Sequence, residues 1–297
     1  MGRAGRNRRP KSLSYGRPPT VHRAAPSLSA KATRNLIRSH HQLQKARARA
    51  LADGNQELVC ELDKKIVTLG GIESYQMASK KGQSKERGGD SSKILMEWLK
   101  PTLDELKSSQ SRLRLLEVGA LSTRNACSTV SFVDVTRIDL HSQEPGILPQ
   151  DFMERPLPAT DMEKFHVISL SLVLNYVPDP TTRGEMLRRT TTFLLSTLPT
   201  SSQSLNELTP CLFLVLPAAC LLNSRYFTEK RLEDIMSSLG YSLIRKKLTS
   251  KLIYQLWKYN CPVEQKACEF KKEMLNPGSV RNNFTVILKY TKLLNTS

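Results

Sequence analysis

The fold of this chain is decided by residues 113–120, which read Leu-Arg-Leu-Leu-Glu-Val-Gly-Ala. This apolar run ends in an acid, one spacer and a glycine, which is typical of a buried parallel strand followed by a sharp turn. A second run, Val-Thr-Arg-Ile-Asp-Leu at 135–140, ends in an acid about 20 residues after that glycine. Open parallel sheets bind ligands beyond the carboxyl ends of such strands. Gly119 and Asp139 are therefore predicted to border a cofactor cleft.

The loop after the first strand distinguishes two classes of cofactor. Gly119 allows close approach of a bulky group, and Asp139 can accept two hydrogen bonds from a ribose diol, so dehydrogenases and methyltransferases both fit. A dinucleotide site requires G-x-G-x-x-G before a helix that holds the pyrophosphate, whereas 119–124 read Gly-Ala-Leu-Ser-Thr-Arg. The missing glycines favour S-adenosyl-L-methionine, which has no phosphate. An ordinary sheet in which Gly119 merely ends a strand is the alternative.

Two later segments are predicted to reach the same edge of the sheet. Asp151 and Phe152 fall where a third strand should end, so the acid can accept from the exocyclic amine of adenine while the ring stacks on it. A polar loop with a packed Phe is the alternative. Asn175 and Tyr176 end the fourth strand and can bind a base edge and stack on it, although a strand-ending Asn with a core Tyr is equally expected. No catalytic residue is assigned.

The net charge of +18 is concentrated at one end of the chain. Residues 1–50 hold 13 of the 45 Lys and Arg and none of the 27 Asp and Glu. Residues 1–30, rich in Arg, Pro, Ser and Gly, are predicted to be a disordered basic arm that binds nucleic-acid phosphates. A nuclear or nucleolar address, or a solvated tail, is the alternative.

Other classes of protein are disfavoured by the composition. No apolar run approaches the ~18 residues of a membrane span, and the N-terminus has no apolar h-region, so we expect a soluble protein. The six cysteines have no zinc spacing with the five histidines, so we expect reduced thiols and no metal site.

Strands that alternate with helices predict an α/β fold whose sheet ends in an antiparallel edge. A helical extension at 31–110 precedes the sheet domain at 111–297. The predicted helices are 31–50, 56–69, 72–81, 91–99, one that begins near Pro101, 181–197 and 228–239. The later strands are predicted at 165–174, 211–216, 241–248, 252–259 and 283–289.

A glycine-rich loop at 82–90 separates two of these helices. Asp90 is predicted to cap the helix that begins at Ser91. Alternatively, the loop folds over the cleft, and Arg87 pairs with a carboxylate such as that of methionine.

The combined order of several motifs, from about Ser39 to Lys292, resembles the fungal 25S large-subunit ribosomal RNA adenine-N1 methyltransferase family. The motifs are Leu-Leu-Glu-Val-Gly-Ala-Leu, Arg-Ile-Asp-Leu, Gln-Asp-Phe-Met-Glu-Arg-Pro-Leu-Pro, Ser-Leu-Val-Leu-Asn-Tyr-Val-Pro, Gly-Gly-Ile-Glu-Ser-Tyr-Gln-Met-Ala-Ser, Arg-Gly-Gly-Asp-Ser-Ser-Lys and Asn-Ser-Arg-Tyr-Phe-Thr.

This resemblance implies an α/β fold with a class I Rossmann-like methyltransferase sheet and an N-terminal helical extension. It also implies S-adenosyl-L-methionine as cofactor, N1-methylation of one adenine in 25S ribosomal RNA or a pre-ribosomal particle, and a nucleolar location. The family's cofactor positions fall on Gly119 and Asp139, and more loosely on Asp151 and Phe152. Animal relatives resemble non-catalytic S-adenosylmethionine sensors, which supplies a rival hypothesis. A third is an assembly factor without catalysis.

Overall fold

The computed structural model describes residues 30–71, 74, 89–142, 144–195, 207–260 and 269–289. Its strands are β1 (Leu113–Val118), β2 (Val133–Asp139), β3 (Leu148–Pro149), β4 (Val167–Ser171), β5 (Cys211–Pro217), β6 (Tyr241–Leu248) and β7 (Leu252–Tyr259). Its helices are α1 (Ala30–Ala52), α2 (Gln56–Thr68), α3 (Ser92–Trp98), α4 (Lys100–Ser109), α5 (Pro180–Phe193), α6 (Ala219–Leu222) and α7 (Glu229–Ser238).

The described strands form one sheet in the order β3-β2-β1-β4-β5-β7-β6. The first five strands are parallel, and β7 is antiparallel to both of its neighbours. Since β1 lies between β2 and β4, the carboxyl ends of these three strands meet at the centre of one sheet edge. The order confirms the predicted α/β Rossmann-like sheet with an antiparallel edge.

Both faces of the sheet are covered, which explains the continuous apolar runs of the central strands. In β1, Leu116 and Val118 point into a core that also contains side chains of α5 and α7. Leu113 and Leu115 point to the opposite face, against Leu95 and other leucines of α3 and α4.

The four N-terminal helices in the described part of the chain divide into two pairs. Helices α3 and α4 belong to the core of the sheet, so the hydrophobic core does not separate at residue 110. Helices α1 and α2 pack on each other around Ala50, Val59 and Leu62, and the Asn55 side chain caps α2 by accepting from Leu58 N at 3.0 Å. The predicted helix at 72–81 lies almost entirely outside the described residues, as does the arm at 1–29. Within the described part, none of the helices combines the length and apolarity that a membrane crossing requires.

The predicted strand at 283–289 is wrong. Phe284, Val286 and Leu288 place apolar residues at alternate positions, which produced the strand-like pattern, but Thr285 is buried as well and the segment joins no sheet. It forms isolated bridges at Asn282 and Leu288, and Ile287 N donates to Pro180 O at 2.9 Å. The segment therefore runs as an extended strap across the start of α5. The strand predicted at 165–174 and the helix predicted at 181–197 are also shorter, at Val167–Ser171 and Pro180–Phe193.

The contact between this strap and α5 requires glycine at residue 184. A Cβ atom there would lie 2.0 Å from Ile287 O, which is backbone and cannot rotate away. We expect Gly184→Ala to lower the free energy of unfolding by about 1–3 kcal/mol in chemical denaturation. Thr192→Ala, at an exposed position of the same helix, is the control and should change stability little. Equal stability of the two variants would contradict the packing of the strap on α5.

Candidate functional site

The turn after β1 is built around Gly119. Its φ of +74° lies in the left-handed region, and its N–H donates to Ile138 O at 2.8 Å. A Cβ atom at this position would lie 2.6 Å from Val173 Cγ2, in the segment that leaves β4. The absence of a side chain therefore lets the turn lie directly against that segment. A bulky ligand can approach this backbone closely.

Asp139 ends the neighbouring strand. Val118 pairs with Ile138 across β1 and β2, so Gly119 and Asp139 follow the same pair, and the structure brings these two predicted residues together. The Asp139 carboxylate Oδ1 accepts from His141 N at 2.9 Å, which orients the side chain. Its carbonyl oxygen accepts from Gln150 N at 2.9 Å, which joins the end of β2 to the loop after β3.

The loop after β3 places the other two predicted residues differently. Asp151 follows the strand at the same sheet edge, and its Oδ1 accepts from Met153 N at 2.7 Å. The Phe152 side chain is only 2% exposed, and its ring centroid lies 5.4 Å from that of Phe193. The ring is therefore a core element, which is the alternative that the sequence left open, and its stacking on adenine finds no support in this packing.

The amino end of α3 completes the cleft from the N-terminal side. Asp90 Oδ1 accepts from Ser92 N at 2.8 Å, and its Oδ2 accepts from Ala126 N at 2.6 Å, so one carboxylate joins the helix to the loop after β1. Ser91 Oγ lies 2.7 Å from Ser171 Oγ at the end of β4. Arg87 lies outside the described residues.

A buried carboxyl group beneath the turn was not singled out from the sequence. Glu117 is 9% exposed, and its Oε1 accepts from Asn125 Nδ2 at 2.7 Å. Burial raises the pKa of Glu117 to about 7, although the bond from Asn125 opposes this shift. The acid at the end of the apolar run of β1 was the available signal.

The segment that leaves β4 carries two further unusual groups. Leu172 has a φ of +58°, a conformation that costs a non-glycine residue free energy and that clusters at functional sites. Asn175 Oδ1 is buried and accepts no hydrogen bond from any described residue. The turn between them is closed by Tyr176 N, which donates to Val173 O at 2.8 Å. The cleft thus holds a desolvated acceptor whose donor must come from elsewhere.

No cluster of three or more His, Cys, Asp or Glu within the described ranges has the arrangement of a metal site. The thiols of Cys127, Cys211 and Cys220 are free and buried. Burial raises the pKa of Cys127 to about 12, which leaves that thiol protonated at neutral pH.

Comparison with known proteins identifies the family. Residues 60–286 match the family model described as "Bmt2: 25S rRNA (adenine(2142)-N(1))-methyltransferase". The chain belongs to this family. The match confirms the resemblance drawn from the motifs and makes the chain a member of a methyltransferase family. It includes Gly119, Asp139 and Asn175, whereas α1 lies outside it.

Two relatives are similar to this chain over most of its length. The "25S rRNA adenine-N(1) methyltransferase" of Schizosaccharomyces pombe is 40% identical over 84% of this chain and 89% of its own length. The "25S rRNA (adenine(2142)-N(1))-methyltransferase" of Saccharomyces cerevisiae is 38% identical over 75% of this chain and 61% of its own length. Among solved structures, a SAM dependent methyltransferase from Aquifex aeolicus is 12% identical, with a TM-score of 0.32 over 52% of this chain and 88% of that chain.

Filling the cradle at Gly119 should abolish ligand binding. We expect Gly119→Arg to lose measurable binding of S-adenosylmethionine in calorimetry, because the new side chain occupies the cleft and its Cβ collides with Val173. Gly54→Arg is a matched control, since Gly54 has a similar φ of +71° and open space around it in the turn before α2. Retained binding by Gly119→Arg would show that the cleft lies elsewhere.

The pKa of Glu117 predicts a specific dependence of stability on pH. Between its ordinary pKa of 4.5 and about 7, the folded state holds a proton that the unfolded state releases, so this group's stabilisation is lost as pH rises through that window. The loss amounts to about 3 kcal/mol. Urea denaturation should show the stability of the unsubstituted protein, relative to Glu117→Gln, falling by this amount from pH 4.5 to 7.5.

Comparison with Glu117→Gln removes the contribution of other groups. Burial lowers the pKa of His166 to about 4, so that histidine acts in the opposite direction, and its stabilisation is lost as pH falls from 6.5. It is present in both proteins and cancels in the difference. A difference that stays constant with pH would mean that Glu117 is ionised in the fold throughout.

Proposed function

We propose that this chain transfers a methyl group from S-adenosyl-L-methionine to N1 of one adenine in 25S ribosomal RNA. Family membership supports the reaction class, and the single structural observation that carries the proposal is the buried, unpartnered Oδ1 of Asn175 at the end of β4. A base with an exocyclic amine supplies the donor that this oxygen lacks.

The residues of the cleft fit the cofactor. Gly119 presents bare backbone, Asp139 places a carboxylate at the next strand end for the ribose hydroxyls, and Asp151 provides an acceptor after β3 for the adenine amine. When bound, S-adenosylmethionine supplies the methyl group as an already activated sulfonium. The protein's task is therefore to hold and orient the reactants in a dry cleft.

Asn175 acts on the acceptor base. Adenine N1 has an in-plane lone pair and requires no general base, but in a duplex this atom is engaged in pairing, so the target must be unpaired or extruded. An amide oxygen that accepts from the N6 amine orients the base by its Watson–Crick edge. Methylation at N1 leaves a positive charge on the base, so this hydrogen bond strengthens as the charge develops. Asn175 therefore favours the transition state over the ground state.

Affinity for RNA is assigned to the N-terminal end of the chain. Helix α1 has no acidic residue in its sequence, and the side chains of Arg38 and Arg49 are exposed. Together with the basic residues before it, this helix offers phosphate contacts that do not depend on base sequence and that weaken with salt. We also propose a nucleolar location, because the family resemblance of the motifs implies it and a ribosomal RNA substrate is consistent with it.

The experiment incubates the protein with labelled S-adenosylmethionine and unmodified 25S ribosomal RNA, and then maps the product by blocked Watson–Crick pairing. We expect label at one adenine. Binding of the cofactor without transfer would favour the sensor, and absence of both would favour an assembly factor without catalysis.

Asn175→Ala tests the role of the amide oxygen. We expect kcat to fall roughly a hundredfold, because a preorganised group that meets developing charge is lost, while the Kd for S-adenosylmethionine stays unchanged. Asn260→Ala is the control, because Asn260 is exposed beyond β7 at the opposite edge of the sheet. An unaltered kcat in Asn175→Ala would remove this residue from the mechanism.

A further inference from the structure

Helix α5 carries two arginines whose side chains hold two different loops of the cleft. Arg183 and Arg189 are six residues apart, or about 9 Å along the helix axis. Their side chains donate hydrogen bonds to backbone carbonyl oxygens of the two loops and of the C-terminal strap. Neither arginine was singled out in the sequence.

Arg183 holds the turn that contains Asn175. Its side chain is 2% exposed, and Nε donates to Val177 O at 2.8 Å while Nη2 donates to Pro178 O at 3.2 Å. Nη1 donates to Thr285 O of the C-terminal strap at 2.5 Å. The guanidinium carbon also lies 4.5 Å from the centroid of the Phe284 ring.

Burying the charged Arg183 guanidinium costs free energy, so the hydrogen bonds that compensate for this cost indicate what the residue does. Burial lowers the pKa of Arg183 to about 10, which still leaves the group charged at neutral pH. A planar guanidinium can donate in three directions at once, whereas an ammonium cannot reproduce this fixed fork. Arg183 thereby fixes the backbone immediately after Asn175 in one geometry.

Arg189 does the same for the loop after β3. Its Nε donates to Phe152 O at 2.8 Å, and its Nη2 donates to Arg155 O. The guanidinium carbon lies 5.3 Å from the centroid of the Phe193 ring, within the same aromatic group as Phe152. The loop that carries Asp151 is therefore held from the side of α5.

We propose that Arg183 and Arg189 are positioning residues for separate halves of the active site, so that one rigid helix fixes the base-binding turn relative to the cofactor-binding loop. This inference rests on the proposed function, which assigns the two loops their ligands. Neither arginine touches the reacting atoms. Each acts through the backbone that it holds, where a shift of about 1 Å is enough to lower the rate a hundredfold.

The test compares Arg183→Lys with Arg189→Lys, because both keep a charge and a long side chain and lose only the fork. Arg183→Lys should lower kcat at least tenfold, while the Kd for S-adenosylmethionine changes less than about twofold. Arg189→Lys should raise that Kd about tenfold, with kcat at saturating cofactor nearly unchanged. Arg188→Lys is the control on the same helix, since Arg188 pairs with Glu185 and contacts neither loop in the bonds described.

A second measurement, hydrogen exchange, needs no activity. Arg183→Lys should accelerate exchange of the Tyr176 amide, which closes the turn, and leave that of Met153 unchanged, whereas Arg189→Lys should do the reverse. Proportional loss of kcat and cofactor affinity in both variants, with exchange raised in both loops, would indicate a merely structural role and overturn the inference. Unchanged kinetics in both would also overturn it.

A failure of the proposed function would give a different experimental result. If the unsubstituted protein neither binds S-adenosylmethionine nor methylates RNA, the ligands assigned to the loops are wrong, and the positioning roles are refuted with them. Normal binding and transfer by the unsubstituted protein, combined with crossed effects in the two variants, supports both.

Discussion

The contact between the Gly119 backbone and Val173 is the constraint on which the rest of the site depends. It joins the ends of β1 and β4, which are neighbours at the centre of the sheet. The turn adopts a left-handed conformation there, and the segment leaving β4 must then bend sharply, which Leu172 does with its own positive φ. Under the proposed function, the cofactor side and the base side of the cleft thus share one wall. A change in either turn alters the other.

The polar groups around this wall are stabilised in an unusual way for buried groups. Desolvation raises the pKa of Glu117 to about 7, Arg183 is satisfied by carbonyl oxygens, and Asn175 presents an acceptor without a donor from the described protein. Buried polar atoms normally find partners within the fold. Asn175 is the exception among these three groups, and the proposed function assigns its free acceptor to a ligand.

The residues that follow a strand directly were predictable from the sequence, because an apolar run that stops at a polar residue fixes both the strand and its end. Gly119 and Asp139 were found in this way, and the structure places them on adjacent strands. The burial of Phe152 against Phe193 was not predictable, because local sequence does not show which side of a loop faces the core. The role of Arg183 depends on Thr285, about a hundred positions away, and no local pattern reveals such a contact. The C-terminal strap had the alternation of a strand, and only its hydrogen-bond partners distinguish it from one.

The position of α3 has a consequence for how the molecule is made. This helix is synthesised before any strand, yet its apolar side chains find their partners on β1 and β5, and its first turn meets the end of β4. During translation, the apolar face of α3 therefore stays without its packing partners until β5 has left the ribosome. A fragment that begins at the first strand would in turn expose the matching face of the sheet to water, and we expect it to aggregate. The catalytic half of this chain is thus not a module that can be cut out at the start of its sheet.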